Sequence, residues 1–294
     1  MKKSPKLNRR DAIKTMGLGA SSAILPQINM EKESTNSPLK GNINHSVCQW
    51  CYGNVPLETL AQEAQKLGLI GIDLIGPKGW DTLKKYGLES TMCNGAELNL
   101  VDGFNDLKFH DKLVDRYTEH IDLVAKAGYK NLICFSGNRR GMDDELGLKN
   151  TVKGIKRILA QAEKRGITLT MELLNSKVDH NDYMCDNSEW GVALCKELDS
   201  ENFKLLYDIY HMQIMEGDII HTINENHQYY GHYHTAGVPG RNEIDASQEL
   251  YYPAIMEAIV ATGFKGVVAQ EFIPNDRTNN GMNSLADAIK RCDV

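Results

Sequence analysis

Positive charge is in short supply. The 294-residue chain carries 33 lysines and arginines against 39 acids, a formal net charge of −6, and its cations are scattered rather than gathered in a stripe. A nucleic-acid groove needs the opposite pattern, so no nucleic-acid partner is expected. Long apolar runs are missing too, and no segment reaches the roughly 20 consecutive apolar residues of a membrane-spanning helix. The seven cysteines are odd in number and sit mostly inside apolar strand or helix patterns, which is not a disulfide framework. They read as small buried hydrophobes. Cys48-Gln49-Trp50-Cys51 has redox spacing, but it falls on a strand pattern with no helix N-terminus to lower a thiol pKa, so a structural role is read there. Nor does a glycine-rich phosphate loop follow the first strand, which runs on as Trp50-Cys51-Tyr52-Gly53-Asn54. Dinucleotide binding has no support.

The first residues differ in character from the rest. Asn8-Arg9-Arg10-Asp11-Ala12-Ile13-Lys14, followed by the small and apolar run from Thr15 to Leu25, resembles a twin-arginine export signal, with small residues from Ala20 to Ala23 for cleavage. Residues 1–26 are therefore read as a signal segment that directs export to the periplasm. Residues 27–43, rich in Ser, Asn, Pro, Lys and Glu, read as a linker. One folded domain is expected over residues 44–294, in an exported protein.

Within that domain one unit recurs. An amphipathic helix ends in basic or small residues, a glycine follows, and a short apolar strand begins; Gly68, Gly87, Gly128, Gly166 and Gly263 mark the junctions. Glycine there suits the left-handed position that closes a helix. With HSVCQW at the start, NFKLLYD and YYGHYHT, eight strands alternate with helices. Alternation without consecutive strand pairs implies a parallel sheet, and eight units in about 250 residues imply a closed (β/α)8 TIM barrel.

A barrel of that kind carries its site at the carboxyl ends of its strands. Asp73, Glu172, Asp208, His234 and Glu271 all stand where predicted strands run out. Alone, each such acid reads most simply as a helix N-cap. Four ligand-type residues from consecutive strands, Glu172, Asp208, His234 and Glu271, read instead as a metal site. Three carboxylates and one imidazole form a mostly hard donor set that favours Mn²⁺ or Mg²⁺ and also admits Co²⁺ or Zn²⁺.

The stretch LLYDIYHMQIMEGDIIHTI, the segment HTAGVPGR ending at Arg241, and the strand ends at Glu172 and Glu271 resemble hydroxypyruvate isomerase, within the xylose-isomerase-like barrel superfamily of sugar isomerases and epimerases. The resemblance is specific from about strand five onward. It implies that Glu172, Asp208, His234 and Glu271 bind the metal, that His211 and Arg241 bind substrate oxygens, and that Glu172 and Glu271 form the proton-transfer pair. It also implies a small sugar or hydroxy-keto acid substrate and pairing into homo-oligomers. Two departures bear on the substrate. Hydroxypyruvate enzymes commonly carry an amide where this chain has His234, and the imidazole is closer to ketose 3-epimerases. An export signal also suits a free sugar or keto-sugar better than an intracellular metabolite. The alternatives are a ketose 3-epimerase or a keto-sugar dehydratase; a barrel that only binds sugar and a metal-dependent endonuclease fit less well.

The chemistry agrees with the residues. Isomerising an α-hydroxy carbonyl needs a base to remove a carbon-bound proton and a conjugate acid to return it, work suited to a pair of carboxylates. Arg241 has the fork geometry to clamp a substrate carboxylate. Elsewhere, Asn94, Glu97 and Asn99 after strand three and Ser136 to Arg140 after strand four face the site, as candidates for binding hydroxyls. Trp50 and Phe135 are candidate apolar walls. His232 shares a strand face with His234 and is expected inside the barrel. His110, His120, His180, His221 and His227 fall in helix or loop contexts and are expected at the surface.

Overall fold

The computed structural model describes residues 38–294. The export segment expected at 1–26 and the first part of the linker lie outside the described residues.

Eight strands form one all-parallel sheet in the order β3-β2-β1-β8-β7-β6-β5-β4. They are β1 (Asn44–Cys48), β2 (Gly71–Asp73), β3 (Glu89–Ser90), β4 (Asn131–Cys134), β5 (Thr168–Glu172), β6 (Phe203–Asp208), β7 (Tyr230–Thr235) and β8 (Val267–Gln270). The intervening helices are α1 (Leu57–Lys66), α2 (Trp80–Lys85), α3 (His110–Ala127), α4 (Asp144–Arg165), α5 (Ser188–Leu198), α6 (Ile209–Met215), α7 (Ile219–Asn226), α8 (Tyr252–Ala261) and α9 (Met282–Cys292). This curled sheet with alternating helices is consistent with a TIM barrel. Between β3 and β4 the two ends meet through a parallel bridge of Cys93 with Leu132. There the Cys93 N–H donates to Asn131 O (2.9 Å) and the Ile133 N–H to Cys93 O (3.0 Å).

Local sequence explains where elements start and stop. Helix α3 buries Leu113, Tyr117, Ile121 and Val124, one face of a 3.6-residue period. It closes on Gly128 at φ +87°, and α4 on Gly166 at φ +66°, where a side chain would be strained. Asp143 and Asn187 cap α4 and α5 by accepting from the Leu146 and Trp190 N–H groups.

Two strands are shorter than their apolar patterns. The run HSVCQW leaves the sheet after Cys48, and Gln49–Tyr52 winds into a 3-10 turn that carries Trp50 over the barrel mouth. The run LESTMC keeps only Glu89–Ser90 as strand, because Leu74 pairs with Met92 (2.8 Å) after β2 has ended and Ser90 turns its hydroxyl onto Ile75 O (2.8 Å). At the opposite end of the barrel the segment before β1 meets the last residues of the sequence: the Lys40 N–H donates to the Asp293 carboxylate (2.9 Å) and Asn42 to Val294 O (2.9 Å). Among the described residues, no helix is long and apolar enough to cross a membrane.

Candidate active site

Each residue of the strand-end cluster arrives by its own route. Glu172 is the last residue of β5, Asp208 the last of β6, His234 lies one before the end of β7, and Glu271 one past β8. All four are buried, and their donor atoms lie within 4.8 Å of one another. Asp208 is also an N-cap: its Oδ1 accepts from the His211 N–H (3.0 Å) and starts α6, while Oδ2 faces Arg241 Nη2 at 3.5 Å. The helix-cap role and the place in the cluster therefore belong to the two oxygens of one carboxylate.

The orientation of His234 follows from Asp73. The Asp73 carboxylate is fully buried and takes the hydroxyls of Ser46 (2.7 Å) and Thr91, His232 Nε2 at 2.6 Å and His234 Nε2 at 3.0 Å. A carboxylate accepts, so both rings present Nε2–H to it. That leaves the Nδ1 lone pair of His234 facing Glu271 Oε2 at 2.8 Å and Glu172 Oε1 at 3.5 Å. A lone pair that close to carboxylate oxygens requires a proton or a metal cation between them. Asp73, read in the sequence as one more strand-end acid, lies on the far side of the imidazole from the cluster.

His211 is oriented in a similar way by Asn175. The Asn175 Oδ1 accepts from the backbone N–H groups of Val178 (3.0 Å) and Asp179 (2.9 Å), so its Nδ2 points to His211 Nδ1 at 2.6 Å. His211 Nδ1 is then the acceptor and Nε2 carries the hydrogen. That Nε2 is buried, with no hydrogen-bond partner among the described residues, and lies 3.7 Å from Asp208 Oδ2. It is a free donor beside the cluster.

Arg241 sits at φ +57° in the loop after β7. Its Nη2 donates to Glu271 Oε2 (2.6 Å), and its guanidinium lies between the rings of Trp50 (5.0 Å) and Tyr210 (5.3 Å). The Trp50 indole N–H donates to the other Glu271 oxygen at 2.7 Å. The guanidinium is thus partly committed to the cluster, and its buried Nε has no partner among the described residues.

Burial sets the charge state of the group. It pushes the Asp208 carboxyl well above the usual range, with Arg241 opposing, and raises Glu172, with the hydrogen bond to His234 opposing. Burial acts on Glu271 as well, but His234 and Arg241 outweigh it and hold that carboxyl well below the usual range. For His234, burial disfavours the charged ring, and the Glu271 and Asp73 carboxylates outweigh it. Burial and then Arg241 push His211 well below its ordinary value, in keeping with a neutral ring. Burial also raises the Cys48 and Cys51 thiols well above their ordinary value, which fits small core residues rather than redox groups.

A cavity of about 470 Å³ opens over the cluster, with Trp50, Leu100, Phe135, Glu97 and His180 in its walls. Asn94 and Asn99 line it as well. The Ser136 to Arg140 loop does not contribute in the expected way. The Ser136 hydroxyl accepts from the Cys185 N–H (2.9 Å), Arg139 pairs with Asp186 (2.9 Å) and Asp144 (2.8 Å), and Arg140 pairs with Asp102. Two histidines expected at the surface are elsewhere: His180 lines the cavity and His110 is buried against Phe104 O (2.8 Å). His232 is inside the barrel on Asp73. The positions of Asp73 and His232 were visible as strand-end and strand-face patterns. Asn175 and His180, in a loop, carried no sequence signal.

The fold and this strand-end geometry define a class. The chain belongs to the xylose isomerase-like TIM barrel family, whose model matches residues 78–292. Over 130 residues it is 34% identical to the 2-oxo-tetronate isomerase of Cupriavidus necator, covering 44% of this chain and 49% of that protein. A Homo sapiens protein provisionally named hydroxypyruvate isomerase is 31% identical over 128 residues, covering 44% of this chain and 45% of its own length. In these matches the chain spans about half the length of the curated relatives. Among solved structures, an AP endonuclease, family 2, from Brucella melitensis superposes with a TM-score of 0.71 at 22% identity, covering 83% of this chain and 99% of that one. At that identity the likeness is one of fold alone.

Proposed function

We propose that this protein is a divalent-metal-dependent isomerase of an α-hydroxy carbonyl compound, hydroxypyruvate or a related sugar or keto-sugar, acting through an enediolate. The observation that carries the reading is the convergence of Glu172, Asp208, His234 and Glu271, with donor atoms within 4.8 Å of one another. The relatives named as isomerases of 2-oxo-tetronate and hydroxypyruvate support it.

The residues fit a hard divalent cation. Three buried carboxylates face one guanidinium and one imidazole whose Nδ1 lone pair is turned toward them. The donor set favours Mn²⁺ or Mg²⁺ and also admits Co²⁺ or Zn²⁺. When bound, such an ion supplies Lewis-acid stabilisation of negative charge at the substrate carbonyl oxygen.

The chain's own residues do the rest. Glu172 and Glu271 come from strands separated by β6 and β7, so they approach a substrate from two sides. One removes the proton from the carbon beside the carbonyl, and the other, as conjugate acid, returns a proton to the neighbouring carbon. The His211 Nε2–H and the Arg241 Nε–H donate to substrate oxygens. Trp50 and Phe135 wall the cavity against water.

A second reading is a ketose 3-epimerase or keto-sugar dehydratase, which shares the proton abstraction; the imidazole of His234 in the donor set favours it. Proton exchange in D₂O tests both. Metal-loaded protein is mixed with hydroxypyruvate, ketoses, aldoses and keto-sugars, with Glu271→Gln as control, and deuterium incorporation is followed by NMR. Metal-dependent labelling beside the carbonyl, lost in Glu271→Gln, is expected, and the labelled carbon distinguishes isomerase from epimerase. Metal binding without exchange on any substrate overturns the catalytic reading. We also propose that the segment around Arg9 and Arg10 directs export.

A further inference from the structure

The cavity over the cluster shares part of its wall with a neighbour. Leu74 and Asn94 also line a second cavity of about 660 Å³, between the loops that follow β2 and β3. Both openings lie on the carboxyl side of the barrel. A single cavity of about 300–1,000 Å³ already accommodates a ligand far larger than a three-carbon acid. The two adjoining spaces exceed what such a substrate needs.

The second cavity also has the chemistry of a binding site for hydroxyl groups. The side-chain amides of Gln49 and Asn94 and the ammonium of Lys78 have no hydrogen-bond partner among the described residues, although all three line the groove. His120 Nδ1 lies 3.1 Å from Arg116 O and so donates there, leaving Nε2 as an acceptor in the groove. Leu57, Ile75 and Pro77 supply apolar surface between these polar groups. The loop after β4 is different: its polar groups are spent on structural partners, as described above. Amides that donate and accept, one imidazole acceptor and a single exposed ammonium suit the hydroxyl groups of a polyol.

We infer that the groove lined by Gln49, Lys78, Asn94 and His120 binds a second sugar unit, so that the substrate is a carbohydrate of at least two units whose reacting part occupies the strand-end cluster. The claim about the reacting part rests on the proposed function; the claim about the groove does not. The unit in the groove takes no part in the chemistry. Its binding positions the reacting unit, which raises specificity for the larger sugar.

The test measures binding without turnover. Full-length, Mn²⁺-loaded protein is titrated with glucose, with maltose, cellobiose and trehalose, and with glucose 6-phosphate, by calorimetry and saturation-transfer NMR. At least one disaccharide is expected to bind about tenfold or more tighter than glucose, a difference near 1.4 kcal/mol. His120→Ala and Gln49→Ala should remove that advantage while leaving glucose affinity unchanged. Saturation transfer should reach protons of both sugar rings in wild type and of one ring in the variants. Equal affinity for glucose and every disaccharide overturns the inference. So does an equal loss for both sizes of ligand in the variants, or tighter binding of glucose 6-phosphate than of any disaccharide, which assigns the groove to an anion. Loss of deuterium exchange with disaccharide binding retained would count against the proposed reaction and leave the groove standing.

Discussion

Asp73 Oδ2 lies 3.0 Å from His234 Nε2, while the other nitrogen of the same ring faces Glu271 at 2.8 Å. The carboxylate thereby selects which nitrogen of His234 is offered to the cluster. Such a partner typically contributes about 10- to 100-fold in metal affinity. Asp73→Asn offers one acceptor oxygen to two imidazole N–H groups and should lower Mn²⁺ affinity by about that factor. Titration calorimetry on variant protein shown to be folded by circular dichroism checks this, and unchanged affinity would remove the role.

The Asn175–His211 pair leads to a second prediction. An aspartate at 175 can only accept at the 2.6 Å contact, which forces a proton onto Nδ1 of His211. Asn175→Asp should therefore show a protonated Nδ1 in ¹⁵N NMR and a fall in kcat of about 10- to 100-fold, as for other partners that orient a site imidazole. Protonated Nδ1 with an unchanged kcat would show that Asn175 has no positioning role in the reaction.

Glycine positions separate two kinds of backbone constraint. An alanine Cβ at Gly166 meets nothing within 4 Å, but φ is +66° there. Gly166→Ala should cost about 1–2 kcal/mol, from backbone strain alone. At Gly103 the Cβ would come 2.3 Å from the carbonyl carbon of Ser136 and 2.4 Å from the Gly137 nitrogen. Gly103→Ala should cost more than about 3 kcal/mol, because neither backbone segment can yield cheaply. Urea unfolding of the two variants ranks them, and the reverse order would contradict the packing described.

Acid should weaken the fold partly through His110. Burial lowers its pKa, and the neutral ring donates to Phe104 O. The unfolded ring takes up a proton near 6.5. Its contribution to stability is therefore full above that pH and declines as pH falls from about 6.5 toward the folded value, because the unfolded state binds the extra proton. His110→Gln, which keeps a donor toward Phe104 O, should show a smaller drop in urea midpoint between pH 7.5 and 5.5 than wild type. Equal drops would exclude His110 as a source.

Export is checked in the producing cell. Replacing Arg9 and Arg10 by lysine should shift the full-length protein from the periplasmic to the cytoplasmic fraction. An unchanged distribution would discard the export signal.

The periodic parts of the molecule were legible in the chain. Glycines such as Gly128 and Gly166 occupy the left-handed helix ends that their place between apolar runs implies. Glu172, Asp208, His234 and Glu271 stand at strand ends because strand length and barrel closure together decide which residue reaches the mouth. The short β1 and β3 were not legible, since an apolar run does not show where neighbouring strands stop pairing.

What the sequence by itself determined is the set of repeating units and the chemical types at their ends, because helix and strand periodicity and helix capping act over a few residues. Tertiary structure alone decided how those groups are used. Asp73 and His234 are 161 positions apart, and Asn175 and His211 are 36 apart, yet each pair sets which ring nitrogen faces the cluster. Tautomer and charge state depend on burial and on partners brought together only when the sheet curls and closes. The same is true of the groove beside Asn94, where the loops after β2 and β3 come together with Gln49 and His120.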